Sequence, residues 1–408
     1  MLELSFFVYL LRISTIGITP SLLSTSIVVV FVVSTSYTAL LKVITPANRR
    51  YITFKKIILS QLALLVVLFV SVFIALLNGF SWTESVTTLL KILILFSCMN
   101  VGLISGYSEK RKRMLKFVIY SLFIHVLLGI LLFPFGFTSE VHGVQRVVGL
   151  AGGVQIYANL VSALFIISFF MLHYKLEVIS RSVLLIFLGV SFVAFLFSNT
   201  LKNFIMAIAV VAIPFIWDKR KVIPFSVVIV FFFLPLIFLF REYIVETSLY
   251  QRLHLVYEAG LSTTLAQGEK LESSLVWRLL HWNRLFSDWY DNYLFWGSGI
   301  GQTVNMNGLK TANGDGFEAH SDFVTFIVEF GLFLTPIVAL LLLYPLKLLM
   351  NISINSTYAK VFGYFVLGSF ISSMFGNVFY SLSNLYYLWF FVGWSLAYYE
   401  CKNRLCNI

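Results

Sequence analysis

Long apolar runs recur along the chain. Twelve can be delimited, at roughly residues 4–19, 21–44, 57–77, 85–105, 115–134, 149–173, 182–198, 201–217, 222–241, 319–346, 361–379 and 385–399. A helix needs about 17–25 residues to cross the hydrocarbon core of a bilayer. That core offers no water to an unpaired backbone group, so a spanning segment must satisfy its own N–H and C=O groups as a helix. The sequence therefore predicts an all-α polytopic membrane protein with about twelve transmembrane helices. Composition excludes a soluble alternative. Hydrophobic residues make up 59% and charged residues 12%, against about 25% charged in a soluble domain. A soluble fold of this size could not keep so much apolar surface from water. Soluble enzymes, nucleic-acid binders and secreted disulfide scaffolds are thereby excluded.

Charge gives the orientation. Lys and Arg total 29 against 18 acids. The basic residues gather on alternate connections: Arg49, Arg50, Lys55 and Lys56; Lys110–Arg113 and Lys116; Lys175 and Arg181; Lys219–Lys221; Lys347 and Lys360; Lys402 and Arg404. Basic loops stay in the cytoplasm, so both termini are expected there. The first run contains Arg12 and has no convincing cleavage site, and it is read as a retained helix. The three cysteines, Cys98, Cys401 and Cys406, form neither a disulfide framework nor a zinc spacing.

Three regions follow. Residues 1–241 carry nine helices with short loops, 242–318 form one long outer loop, and 319–408 carry three helices and a short tail. The loop holds nine acids and the tryptophans Trp277, Trp282, Trp289 and Trp296, unlike a disordered tract. Within Glu272–Asp291, Leu275, Leu279, Trp282, Phe286 and Trp289 share one helical face. Arg278, His281, Arg284 and Asp288 share the other. This predicts an amphipathic helix on the outer membrane interface. Gly297, Gly299 and Gly301 then break the chain before a turn-rich stretch, Asn305–Gly316.

A few residues stand out chemically. His320 precedes the tenth helix, with Ser321 or Asp322 as its N-cap. A neutral imidazole can take a proton from a hydroxyl; the simpler role is a hydrogen bond at the helix start. Arg278, Lys202 and Arg146 lie on the outer side, against the positive-inside trend. Cations converging on one outer cleft suit a diphosphate; the plainer role is snorkelling to headgroups. Glu329, nine residues after His320 and beside Gly331, needs a partner if ionised within the membrane. The sequence contains no HExxH, paired-acid, Walker or GxSxG motif, so neither a metal nor a nucleotide cofactor is expected.

These residues resemble a known family. His320-Ser321-Asp322-Phe323, continued to Glu329-Phe330-Gly331, is similar to the H-N-D-[YF] … E-x-G signature of the O-antigen polymerase/O-antigen ligase family. Gly297-Ser298-Gly299-Ile300-Gly301 resembles its G-x-G-x-G element, and Arg278 with Trp282 its R-x-x-x-W. Ser198–Lys202 sits like its S-R-G turn, and Arg146 with Gly149 like its R-x-x-G. Ser321 replaces the family's Asn, Leu334 a second Gly, and Lys202 an Arg, which removes a bidentate fork. The resemblance spans roughly residues 146–335.

The resemblance implies a GT-C-like, metal-independent, inverting membrane glycosyltransferase. Its donor would be an oligosaccharide on undecaprenyl diphosphate, facing the periplasm. His320 would be the catalytic base. Arg278, Lys202 and Arg146 would hold the diphosphate, supported by Asp322, Glu329 and Trp282. A polymerase of O-antigen or capsule repeat units, working with a separate chain-length regulator, is the leading reading. A ligase that moves the glycan to lipid A–core is the second. A flippase or other transporter of lipid-linked oligosaccharide is the alternative of another class. Such a transporter would place polar groups near the midplane, where Asn377 and the glycines of 363–376 are its best support.

Overall fold

A computed structural model describes residues 6–10, 21–44, 52–141, 144–151, 153–198, 200–217, 274–310, 316–374, 376, 378 and 382–405. Eleven helices of at least two turns occur among them: α1 (Ser21–Ile44), α2 (Ile52–Leu77), α3 (Trp82–Tyr107), α4 (Arg111–Leu132), α5 (Val154–His173), α6 (Arg181–Ser198), α7 (Leu201–Trp217), α8 (Ser274–Asp288), α9 (Asp322–Ser353), α10 (Thr357–Ser373) and α11 (Leu382–Leu405). Seven helices among the described residues, α1–α6 and α9, are long and apolar enough to cross a membrane. Each coincides with an expected run. The expected runs 201–217, 361–379 and 385–399 fall on α7, α10 and α11. The run 222–241 lies outside the described residues, as do most of 4–19 and the loop through Ser273.

Lipid is as apolar as leucine, so helices in it associate through close contact and polar pairs. α3 and α11 meet at their backbones. A Cβ added to Gly102 would lie 2.2 Å from the Phe390 carbonyl oxygen, and one on Gly393 would lie 2.2 Å from that of Met99. One turn on, a Cβ on Gly106 would lie 2.6 Å from the Trp394 oxygen. Gln61 of α2 and Asn100 of α3 exchange two amide hydrogen bonds, each 3.3 Å. Gly129 of α4 admits the Tyr157 ring of α5, whose hydroxyl donates to the Val126 carbonyl at 2.8 Å. At the C-terminal end of α3, next to Gly106, Glu400 accepts the first amides of α2, from Ile52 and Thr53, and the Tyr107 hydroxyl. Leu59, Leu62, Val66, Phe69 and Phe73 leave one face of α2 exposed, as a lipid-facing helix requires.

Three features depart from the sequence expectation. The fold is not wholly α: Thr138–Val141 (β1) and Val144–Val147 (β2) pair antiparallel, and Arg146 stands opposite Ser139. This hairpin and a 3₁₀ turn, Gly149–Ala151, delay the start of α5 to Val154. The β-branched residues Val144, Val147 and Val148 favour a strand once a partner is at hand. Second, α9 breaks at Gly331 (φ 62°, ψ −172°). Residues 332–353 alone extend about 33 Å, enough to cross the hydrocarbon core. Third, the expected water-facing side of α8 is partly buried, because His281 and Asp288 turn into the protein.

The α3–α11 contact predicts that Gly102→Leu destabilises the protein by at least about 1–3 kcal/mol through overpacking. Gly189→Ala, where an added Cβ meets nothing within 4 Å, should be neutral or better. Thermal unfolding in detergent should separate the two; equal midpoints would contradict the packing.

Candidate functional site

The site is organised by the break in α9. In an unbroken helix, Leu332 and Phe333 would donate to the carbonyls of Val328 and Glu329. Here they donate instead to Leu294 and Phe295, both at 3.0 Å. The two vacated carbonyls accept from Ser298 (2.9 Å) and Gly299 (3.0 Å). Segment 294–299 is thus inserted into the helix ladder, and all four displaced helix groups regain a partner.

The three glycines after Trp296 make this insertion possible. All have positive φ. Each presses its α-carbon on a different element: Gly297 on the Glu329 carbonyl, Gly299 on Ala75 of α2, and Gly301 on the Glu84 carbonyl of α3. An added Cβ would lie within 2.2–2.5 Å of those atoms. Asn78 donates to the Gly297 and Ser298 carbonyls at 3.2 Å. Ser71 accepts from Ile300 N–H (2.9 Å), and Ser85 donates to its carbonyl (2.7 Å). Gln302 donates to Ser85 at 2.8 Å.

α8 packs on this unit. Leu285 is buried with Met306, Ala319, Val324 and Val328, and Trp282, Phe286 and Trp289 close around them. Asp288 accepts from the Asn307 backbone (2.9 Å) and from the Asn292 side chain (2.7 Å). His281 Nδ1 accepts from Leu309 N–H at 2.9 Å. The side of α8 expected to meet water therefore grips Asn307 and Leu309, because their backbone amides need acceptors.

His320 lies where this loop meets α9. Its backbone is left-handed (φ 51°), a conformation that costs a non-glycine residue about 1–3 kcal/mol unless its surroundings enforce it. The constraints lie on both sides. Trp282 Nε1 donates to the Ala319 carbonyl at 2.5 Å. Ser321 caps α9 through its backbone, accepting from Thr325. Asp322, 1% exposed, accepts from Val378 N–H at 2.8 Å. The His320 ring stands 5.5 Å from that of Trp277, which stacks on His281 and meets Phe317 edge-on, both at 5.0 Å. Arg278 is the next residue along α8 and is half-buried; burial lowers its guanidinium pKa.

Glu329 accepts from the Thr303 hydroxyl (2.6 Å) and backbone (3.3 Å), which answers how its carboxylate is partnered. It lines a polar cavity of about 40 Å³ with Glu84, Thr88, Lys91, Thr303, Glu318 and Thr325. Of the residues singled out in the sequence, Arg278, Trp282, His320, Asp322 and Glu329 belong to this one unit. Arg146 and Lys202 stand at the same end of the bundle but on another wall, formed by the hairpin, α6 and α7. The Lys202 side chain lies outside the described residues. α10 separates the two walls: Phe370 meets Phe323 of α9, and Gly368 packs on Met206 of α7. The sequence reading passed over Lys91, within a run counted as apolar, although it is the one charge there beyond the first turn of α3. Among the described residues no three His, Cys, Asp or Glu side chains form a metal-binding group.

Burial pushes the His281 imidazole down to about 4, and the charges of His320 and Arg284 add to this. The Phe317 and Glu318 carbonyls pull more weakly the other way. The folded state thus prefers neutral His281. Its contribution to stability is complete above about pH 6.5 and declines as pH falls from there towards 4. NMR titration of labelled histidines should find His281 neutral at pH 5–8, with Leu309 amide protection weakening below pH 6. A His281 titration near 6.5 would contradict its burial.

No model of a known protein family matches the chain, and a search of curated proteins finds no relative.

Proposed function

We propose that this protein is a glycosyltransferase of the outer face of a bacterial inner membrane, which polymerises oligosaccharide units carried on undecaprenyl diphosphate. The observation that carries the reading is the strained His320. It is held left-handed at the mouth of α9, against Trp277 of α8, the helix that also bears Arg278. Strain of this kind persists where surrounding structure fixes a residue for use. The resemblance of His320–Gly331, Gly297–Gly301 and Arg278–Trp282 to the O-antigen polymerase/ligase family supports it. With about twelve spans and cytoplasmic termini, the His320 loop would face the periplasm.

In the proposed reaction His320, neutral, takes the proton from an acceptor sugar hydroxyl. The resulting oxygen attacks the donor's anomeric carbon as the bond from that carbon to the diphosphate oxygen breaks. Undecaprenyl diphosphate leaves, and in-line attack inverts the anomeric centre. Arg278 would balance the charge that develops on the leaving group; Lys202 and Arg146, on the second wall behind α10, stand apart from it. Trp282 and Asp322 hold the loop in place and make no contact with reacting atoms. A transporter reading is less well supported. The break in α9 falls at its outer end and leaves residues 332–353 long enough to span, and α10 runs unbroken from Thr357 to Ser373.

Purified protein in lipid vesicles, given one lipid-linked repeat unit, should form a ladder of lipid-linked multimers. His320→Ala should slow it by about 10²–10⁴-fold, the usual worth of a general base, without lowering the unfolding midpoint. Normal extension by that variant would sink the catalytic role. Transfer that occurs only after adding lipid A–core would make the protein the ligase.

A further inference from the structure

Among the described residues two that are not glycine have a left-handed backbone, His320 and Lys175 (φ 53°). Lys175 stands two residues past His173, the end of α5. The Leu176 amide donates to the Met171 carbonyl at 2.9 Å, and the Lys175 amide to that of Leu172 at 3.2 Å. This pair of bonds closes a helix around one left-handed residue, usually glycine, which has no Cβ to crowd a carbonyl. Here that residue is a lysine. A cation near the negative pole of a helix is favourable, but one in the last turn would serve equally without strain. The left-handed position therefore asks for a use of the lysine itself.

Its surroundings supply one. The turn 174–180 joins two helices that are each long and apolar enough to cross a membrane. It therefore lies at a membrane surface, at the end of the bundle away from His320. Tyr174 marks that boundary: the Lys360 ammonium stands 5.6 Å from the centre of its ring, and tyrosines gather at membrane–water interfaces. The turn lines a cavity of about 580 Å³, within the range of small-molecule sites. Six of its ten lining residues are apolar, and the others are Lys175, Glu177, Ser180 and Arg181. Among the described residues no ion pair joins Glu177 to either cation.

Each part of this lining suits one part of a lipid. Two cations and a hydroxyl suit a phosphate. A carboxylate suits a primary ammonium, whose N–H groups it can accept. Apolar walls suit the first carbons of the acyl chains. We propose that the cavity takes the headgroup of an aminophospholipid, with Lys175 and Arg181 on its phosphate and Glu177 on its ammonium. A purely anionic headgroup would leave Glu177 facing a like charge, and a choline offers it no N–H. The site is separate from the His320 unit and does not rest on the glycosyltransferase reading.

Native mass spectrometry of the purified protein, with phosphatidylethanolamine, phosphatidylglycerol or phosphatidylcholine of the same acyl chains added, tests this. Phosphatidylethanolamine should bind most tightly, by about 10-fold over phosphatidylcholine, the worth of one charge-assisted bond. Glu177→Gln should remove that preference. Lys175→Gly should weaken binding of all three by about 10-fold, while the unfolding midpoint in lipid-free detergent holds or rises, because glycine suits the turn. Equal binding by Lys175→Gly and parent proteins would overturn the proposal. So would a lowered midpoint in that variant, or a parent that does not prefer phosphatidylethanolamine to both other lipids. Glycerophosphoethanolamine, which lacks acyl chains, should compete poorly; competition equal to the lipid's would make the ligand a soluble phosphate compound and overturn the lipid assignment.

Discussion

The candidate site depends on an exchange of backbone hydrogen bonds at the N-terminal end of α9. α9 gives up the bonds from Leu332 to Val328 and from Phe333 to Glu329, and segment 294–299 supplies a replacement for each lost partner. An unpaired backbone group costs several kcal/mol in lipid, so the break survives only while the inserted segment stays in place. Gly331 permits the break, since its φ and ψ suit glycine alone. Gly297 permits the approach, since a Cβ there would strike the Glu329 carbonyl. Neither side of the clasp is stable without the other.

The clasp explains how a loop can hold a reactive geometry. Ser71, Asn78 and Ser85 tie the inserted segment to α2 and α3, of which α3 packs deep in the bundle. Thr303, a few residues on, receives Glu329, and α8 rests on the first turns of α9. His320 lies at the junction of these parts. A general base must be positioned within hydrogen-bond reach of its proton, and a loop anchored on three helices can do this. Arg278, on α8, then flanks the same loop.

The helical architecture was legible in the sequence because apolar runs in a bilayer have one outcome. Each of the seven long apolar helices was marked by its run, and α8 by its spacing of aromatic residues. The G-x-G-x-G element was visible as a break, yet its purpose was not, because that lies in contacts with Ala75, Glu84 and Glu329, distant in sequence. His281 and Asp288 were assigned to water by helical phase, which does not know that the Asn307 and Leu309 amides turn to α8 for their acceptors. The β-hairpin around Arg146 was hidden by its shortness. Lys91 was hidden by averaging, since one charge barely lowers the hydropathy of a long apolar run.

The most direct test of the whole account is the position of the donor itself. Electron cryomicroscopy of the His320→Ala protein in nanodiscs, bound to an undecaprenyl-diphosphate-linked unit, would locate the diphosphate density. The account predicts it at the outer rim, beside Arg278, with the first sugar next to residue 320. Density at the opposite end of the bundle, near Lys175 and Arg181, or in a passage through the midplane, would contradict it.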